Sequence, residues 1–316
     1  MQLHDLLIRY YDYRPFSNTF LNKVIGNTSK YLEVVANNLL PRYFEKNMIS
    51  PIELSGKPRI DVIVCLTTFP KRIGYLWYVM ECMAKQSVLP SKIYLYLAKS
   101  QFPDDDCIPK NLNRYVEMGL LEIRIVDEDI RSHKKYWYAF PEFADKDIIT
   151  IDDDIIYPTH FIESLYQAHI QHPECVICNY WHPMKWDNTG NVKPYSEWVN
   201  LRSFDKNFET DEAFFGSGGG TYFPVGSLLD VKQPFNVIRE CCPLADDIWL
   251  NAIVRKNGYR LFCLPYKYSL PEWKIKGNET LASVNNGSNK NDEQLEKVQQ
   301  TCVRLFGKNP FAKIIS

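Results

Sequence analysis

Two short acidic runs hold the side chains best suited to chemistry: Asp152-Asp153-Asp154, and Asp246-Asp247 at the head of Asp246-Asp-Ile-Trp-Leu-Asn251. The triplet ends an apolar run, Ile148-Ile-Thr-Ile151. Three carboxylates at the tip of a buried strand repel one another, and a chain tolerates this when a cation neutralises them. Hard oxygen ligands suit Mg²⁺ or Mn²⁺, and those ions suit phosphate oxygens. The triplet therefore predicts a divalent metal holding a diphosphate at the carboxyl end of a strand. An Asp-rich turn capping the next helix is the competing explanation.

Other residues are placed to serve the same ligand. Thr67, Thr68 and Arg72 follow the apolar run Val62-Ile-Val-Cys-Leu66, where two hydroxyls and a guanidinium can grip a base, ribose or phosphate. Lys134 and Lys135 follow a third strand and can reach the same nucleotide, although a solvated charge pair explains them as well. The run Gly216-Ser-Gly-Gly-Gly220 requires unusual φ or a close backbone approach, either as a hairpin turn or against a ligand. No Gly-x-Gly-x-x-Gly follows the first strand and no Walker loop is present, which removes support for dinucleotide and P-loop readings.

These groups need a frame, and the hydrophobic pattern supplies one. Strands are predicted at 61–66, 92–97, 121–126 and 148–151, with helices at 75–85, 112–118 and 134–140 between them. That spacing gives right-handed βαβ units and a largely parallel sheet, whose ligands bind beyond the carboxyl ends of the strands. Farther along, a helix at 161–172, a strand at 174–180, surface loops over 181–208, a helix at 246–257 and a strand at 260–264 are expected. A last helix is predicted with Asn291 as N-cap, Gln294 three residues on, and a stripe of Leu295, Val298, Cys302 and Leu305. The domain reading is a helical, aromatic-rich extension over 1–57, a catalytic domain over 58–275, and a C-terminal loop and helix over 276–316.

Composition narrows the class. A formal net charge of −1 argues against a nucleic-acid binder, and 45% hydrophobic content is ample for a core in 316 residues. Nine cysteines, several inside apolar runs and with no signal-peptide pattern ahead of them, fit reduced thiols in a cytoplasm. The sequons at Asn27, Asn278 and Asn286 then carry little meaning. No window reaches the roughly 18 apolar residues of a membrane span, so the expected location is cytoplasmic, at most peripheral to the inner face of the membrane. His169, His172, Cys175, Cys178 and His182 imitate zinc spacing, but positions three apart on a strand face opposite sides. Trp181, Trp186 and Trp198 are available either to stack on sugar rings or simply to pack.

A strand ending in hydroxyls and Arg72, two further βα units, Asp152–Asp154 at a strand end, the glycine run at 216–220 and Asp246-Asp247 at a helix start follow in an order that resembles the GT-A glycosyltransferases. Asp152–Asp154 and the 244–251 stretch resemble the bacterial capsule and lipopolysaccharide enzymes, with some exostosin-like features, and the resemblance covers roughly 59–275. It implies a GT-A-like α/β fold, a mostly parallel central sheet flanked by helices, with helical N- and C-terminal extensions. It implies Mn²⁺ or Mg²⁺ on Asp154 and Asp152, and a nucleotide-sugar held by Thr67, Thr68, Arg72, Lys134, Lys135, Asp152 and Asp153. Gly218 and Gly219 would lie in the floor beneath the sugar, and Asp247 with Asp246 would do the catalytic work on the acceptor side. The chain departs from the pattern in having no His after His182 to complete a metal site.

Strand alternation places Asp152 and Asp154 together and Asp153 elsewhere. The helix dipole is expected to keep Asp247 ionised, as general base for an acceptor hydroxyl or as stabiliser of an oxocarbenium-like state. Plain N-capping is the competing role for Asp246 and Asp247. The implied reaction is metal-dependent sugar transfer from a nucleoside-diphosphate sugar to a glycan or lipid-linked acceptor in surface polysaccharide synthesis. Two alternatives stay open: a nucleotidyltransferase making sugar nucleotides, and a non-catalytic carbohydrate-binding protein on a GT-A scaffold.

Overall fold

The computed structural model describes residues 2–11, 35–36, 38–198, 207–265 and 290–313. Among these, an eight-stranded sheet runs in the order β3-β2-β1-β4-β9-β5-β10-β7. Its strands are β1 (Arg59–Thr67), β2 (Leu89–Ala98), β3 (Leu121–Val126), β4 (Asp147–Thr150), β5 (Cys175–Cys178), β7 (Phe208–Thr210), β9 (Thr221–Phe223) and β10 (Arg260–Cys263). β6 (Trp181–Pro183) and β8 (Ala213–Phe215) form a separate two-stranded ribbon.

Alternation along the strands builds two cores on opposite faces of the sheet. Val62, Val64 and Leu66 of β1 enter one core, and Ile63 and Cys65 the other; β5 divides Cys175 and Ile177 from Val176 and Cys178 in the same way. Cys175 and Cys178 do face opposite sides, as their spacing requires. All nine cysteines are free thiols, and Cys107 alone of them is exposed. Helix Leu76–Ala84 is buried along its whole length. Its outer Glu81 accepts from the Ile49 N–H at 2.7 Å and the Tyr115 hydroxyl at 2.9 Å, and pairs with Lys85. The N-terminal extension therefore covers that helix from outside, through buried Phe44, Ile49 and Leu54.

The sheet is mostly parallel, as its pattern predicts, with two antiparallel members. β1 to β4 are parallel, but β9 runs antiparallel between β4 and β5, and β7 is an antiparallel edge. The 181–208 stretch holds β6 and a turn at Tyr195–Glu197, with 199–206 outside the described residues. Within it Trp181 and Trp198 are buried and donate to the Leu264 and Lys193 carbonyls, so they pack and offer no open stacking face. The predicted 134–140 helix is divided into Lys134–Trp137 and Ala139–Glu142. The C-terminal helix, Lys290–Phe306, already includes Asn291, which is therefore not its cap. Gln294 instead bridges outward, accepting from the Leu244 N–H at 2.9 Å. Leu295, Val298 and Cys302 are buried as expected, and Leu305 is exposed. Tyr13, Phe16, Phe20, Tyr31 and the three sequons lie outside the described residues.

Candidate active site

The carboxyl ends of β1, β4 and β5 and the start of β9 share one edge of the sheet. β4 stops at Thr150, so Asp152, Asp153 and Asp154 sit in the turn beyond it and strand alternation does not reach them. Their pairing is accordingly different from the expectation. Asp153 and Asp154 share Arg72, whose Nη1 lies 2.8 Å and 2.6 Å from their oxygens. Asp153 also accepts from the Thr68 hydroxyl, while Asp152 turns away to Lys135 at 2.9 Å. Thr67, one step earlier, donates its hydroxyl to the Tyr96 carbonyl at 2.8 Å and ties β1 to β2.

Lys135 is the hinge of the site. Its side chain is 3% exposed and its ammonium lies 2.9 Å from both Asp152 and Asp246. A buried cation between two carboxylates is strongly held, which raises its pKa above the usual lysine range. Lys134 is buried as well and pairs with Asp129. Both lysines thus sit inside the protein's own buried ion pairs, and neither is a solvated charge. Each packs where its ammonium can be desolvated only because a carboxylate meets it.

The glycine run joins the two acidic groups. The Thr150 hydroxyl donates to the Ser217 carbonyl at 2.9 Å; the Tyr157 hydroxyl accepts from the Asp152 N–H and donates to the Gly218 carbonyl. A Cβ on Gly218 would lie 1.6 Å from Asp152 Oδ2, and one on Gly219 would lie 2.3 Å from Tyr180 Cβ. Gly220 has φ +98° and abuts the Phe161 ring. The close approach that the glycines permit is to the protein's own side chains, which explains the run.

Helix Asp246–Lys256 is capped by the backbone at Ala245 with no side-chain cap, so neither aspartate serves as an N-cap. Asp246 pairs with Lys135, and Asp247 Oδ1 accepts from both the N–H and the hydroxyl of Ser217 at 2.7 Å and 2.6 Å. Their protonation is driven apart. Asp246 is held down to about 2, because Lys135 and neighbouring donors overcome its burial. Asp247 is pushed up to about 7 by burial and then by the negative charge of Asp246. Burial and a like charge outweigh the helix dipole here, contrary to the expectation that Asp247 stays fully ionised. Burial also raises Asp153. Asn251 clamps the helix to β8, bonding the Phe215 N–H and carbonyl and the Asp247 carbonyl. His133 is buried and must donate its Nε2–H to the Cys242 carbonyl at 2.8 Å, leaving Nδ1 to accept from the Tyr136 hydroxyl.

The donor set fits a hard divalent cation. Arg72 pairs with Asp153 and Asp154, Lys135 pairs with Asp152 and Asp246, and the oxygens of Asp152, Asp153 and Asp154 beyond β4 are the hard donors such an ion takes. The triplet is not a closed cage, however. Among the described residues, the group of three ligating side chains with atoms within 4.8 Å of one another is His172, Glu174 and Glu209, near the opposite edge, where Arg260 engages Glu209. The residues that sequence reasoning left without a role are Ser217, Tyr157 and Asn251. Ser217 alone carried a signal, as the one polar side chain inside the glycine run.

No protein-family model matches the chain, and no curated protein does. Solved structures do. S. aureus TarS is similar at 14% identity over 66% of this chain and 36% of that chain, TM-score 0.46. TarS 1–349 in complex with UDP-GlcNAc is similar at 13% identity over 71% of this chain and 61% of that chain, TM-score 0.47. The same fragment with UDP gives 15% identity over 66% and 59%, TM-score 0.45. The chain thus spans 36% of TarS and 61% of the fragment bound to UDP-GlcNAc. Among the described residues no helix is long and apolar enough to cross a membrane.

Proposed function

We propose that the chain is a metal-dependent glycosyltransferase that moves a sugar from a nucleoside-diphosphate donor to a hydroxyl of a glycan or lipid-linked acceptor. The observation that carries this reading is the meeting of two acidic motifs across Lys135, Asp152 on one side and Asp246 on the other, each at 2.9 Å. The two ion pairs support a reading with the donor on one side of Lys135 and a proton-handling carboxylate on the other. The GT-A motif order described above is consistent with the arrangement.

Asp154 and Asp152 would hold Mn²⁺ or Mg²⁺, which when bound neutralises the charge that builds on the departing diphosphate. The protein's own groups do the rest. Arg72 and Thr68 fix the strand end at which the diphosphate docks. Asp246, ionised and tied to Lys135, is unsuited to proton transfer. Asp247, near 7, is matched to accept a proton at neutral pH. The acceptor O–H proton passes to Asp247 as the acceptor oxygen bonds to the anomeric carbon, and the bond from that carbon to the diphosphate oxygen breaks with its electron pair. A single displacement of this kind inverts the anomeric centre. Surface polysaccharide assembly at the cytoplasmic face is the setting we propose.

The test is a panel of nucleoside-diphosphate sugars with Mn²⁺, headed by UDP-GlcNAc because TarS 1–349 binds it. Release of the nucleoside diphosphate is expected for at least one member, with inversion seen by NMR of the product. Pyrophosphate-dependent formation of a sugar nucleotide would favour the nucleotidyltransferase. Binding of a donor with no release, in the presence of Mn²⁺ and glycan acceptors, would favour the non-catalytic alternative.

A further inference from the structure

We propose that Ser217 is the positioning residue that fixes which oxygen of Asp247 takes the proton, an inference that rests on the glycosyl-transfer reading above. Ser217 is fully buried, and it is held on both sides. Its carbonyl accepts from Thr150 at the end of β4, and the carbonyl of neighbouring Gly218 accepts from Tyr157. The Gly216 N–H on its other flank donates to the Tyr180 carbonyl at 3.0 Å. The residue therefore has little freedom to move away from the carboxylates it faces.

Its hydroxyl carries one proton and stands between two acceptors, Asp247 Oδ1 at 2.6 Å and Asp246 Oδ2 at 3.1 Å. Lys135 already donates to Asp246 Oδ2, so the Ser217 proton belongs to Asp247. With the Ser217 N–H added, Asp247 Oδ1 receives two hydrogen bonds from one residue. Two bonds converging on one oxygen stop rotation of the carboxylate. They also leave Oδ2, to which the described residues offer no hydrogen bond, as the oxygen that accepts the acceptor's proton. The charged and titratable groups around Asp247 are Asp246 on its own helix, Lys135 and Tyr136 from the preceding short helix, and Tyr195 from the turn at Tyr195–Glu197. His133 faces the adjacent Asp246. Ser217 is the neutral donor in this set that addresses a single Asp247 oxygen.

The experiment follows the Asp247 carboxyl carbon by NMR in protein labelled at aspartate, assigned with Asp247→Asn. It compares wild type, Ser217→Cys and Ser217→Ala, so that donor strength falls while little bulk is added. Loss of a donor to the ionised form moves the midpoint to higher pH, in the order wild type, Ser217→Cys, Ser217→Ala. With the donor found by the panel, Ser217→Ala should lower kcat about tenfold with KM for the donor changed by less than about twofold. The acidic limb of its kcat/KM profile should move upward with the NMR midpoint. An unmoved midpoint and limb would overturn the positioning role, even if kcat fell, since a merely structural residue would do only that. Full turnover by Asp247→Asn would instead overturn the functional reading itself, and the NMR series separates the two failures because it needs no donor.

Discussion

Asp247 carries opposite demands at the level of the single residue. Its carboxyl is raised from 3.8 to about 7 on folding, so the folded state disfavours its ionised form. A raised carboxyl contributes stability that is complete below the unfolded value and is lost as pH climbs through the folded one. Asp247→Asn removes that pH-dependent loss. The variant is therefore expected to melt higher than wild type at pH 8, and at nearly the same temperature at about pH 3, where the wild-type group is mostly neutral in both states. Turnover should fall about a hundredfold or more, because amide nitrogen and oxygen cannot take up the proton. Scanning calorimetry at the two pH values, beside the rate, checks both halves. A loss of stability at pH 8 would mean that the carboxylate is structural. The aspartates were legible in the sequence because charge at the end of an apolar run is costly, whereas their pairing was not. Ion pairs such as Lys135 with Asp152 and Asp246 join residues far apart in the chain, and periodicity carries no record of them.

At the level of elements, the strands β1, β2 and β3 and the helix Asp246–Lys256 were readable from their apolar periods. β9 was not. Thr221–Phe223 is three residues between a glycine run and Pro224, too short for a period, and only pairing with β4 and β5 makes it a strand. That pairing brings the glycine run against the triplet and assigns its glycines different duties. A methyl at Gly218 meets the Asp152 carboxylate, a side chain 42% exposed that can swing aside. A methyl at Gly220 meets the buried Phe161 ring at 2.2 Å on a backbone of φ +98°. Gly218→Ala should thus cost activity by about tenfold or more through the lost Asp152–Lys135 contact, with stability changed by about 1 kcal/mol or less. Gly220→Ala should cost roughly 2–4 kcal/mol of stability. Thermal melts and rates on the two variants distinguish a glycine that spares the site from one that spares the fold; equal melting losses would remove the distinction.

At the scale of the whole molecule, the site gathers more carboxylate than cation, and this governs how ligands can bind there. A diphosphate alone brings negative charge to Asp152, Asp153 and Asp154, with Arg72 already shared by two of them. A divalent cation alone finds no closed set of three ligating carboxylates at the triplet. Each ligand supplies what the other lacks, oxygens in one case and charge in the other. Binding should therefore be mutual: a nucleoside diphosphate should tighten Mn²⁺ by about tenfold or more, and Mn²⁺ should tighten the nucleoside diphosphate by the same factor, since coupling free energy is reciprocal. Calorimetric titration of each ligand, with and without the other, measures both factors and checks their equality. Asp154→Asn should bring the factor close to one while leaving the fold intact, because Asp153 still pairs with Arg72. A nucleoside diphosphate bound equally well in Mn²⁺ and in chelator would remove the metal from the site. The site would then rely on Arg72 and Lys135 for the positive charge that a departing diphosphate requires.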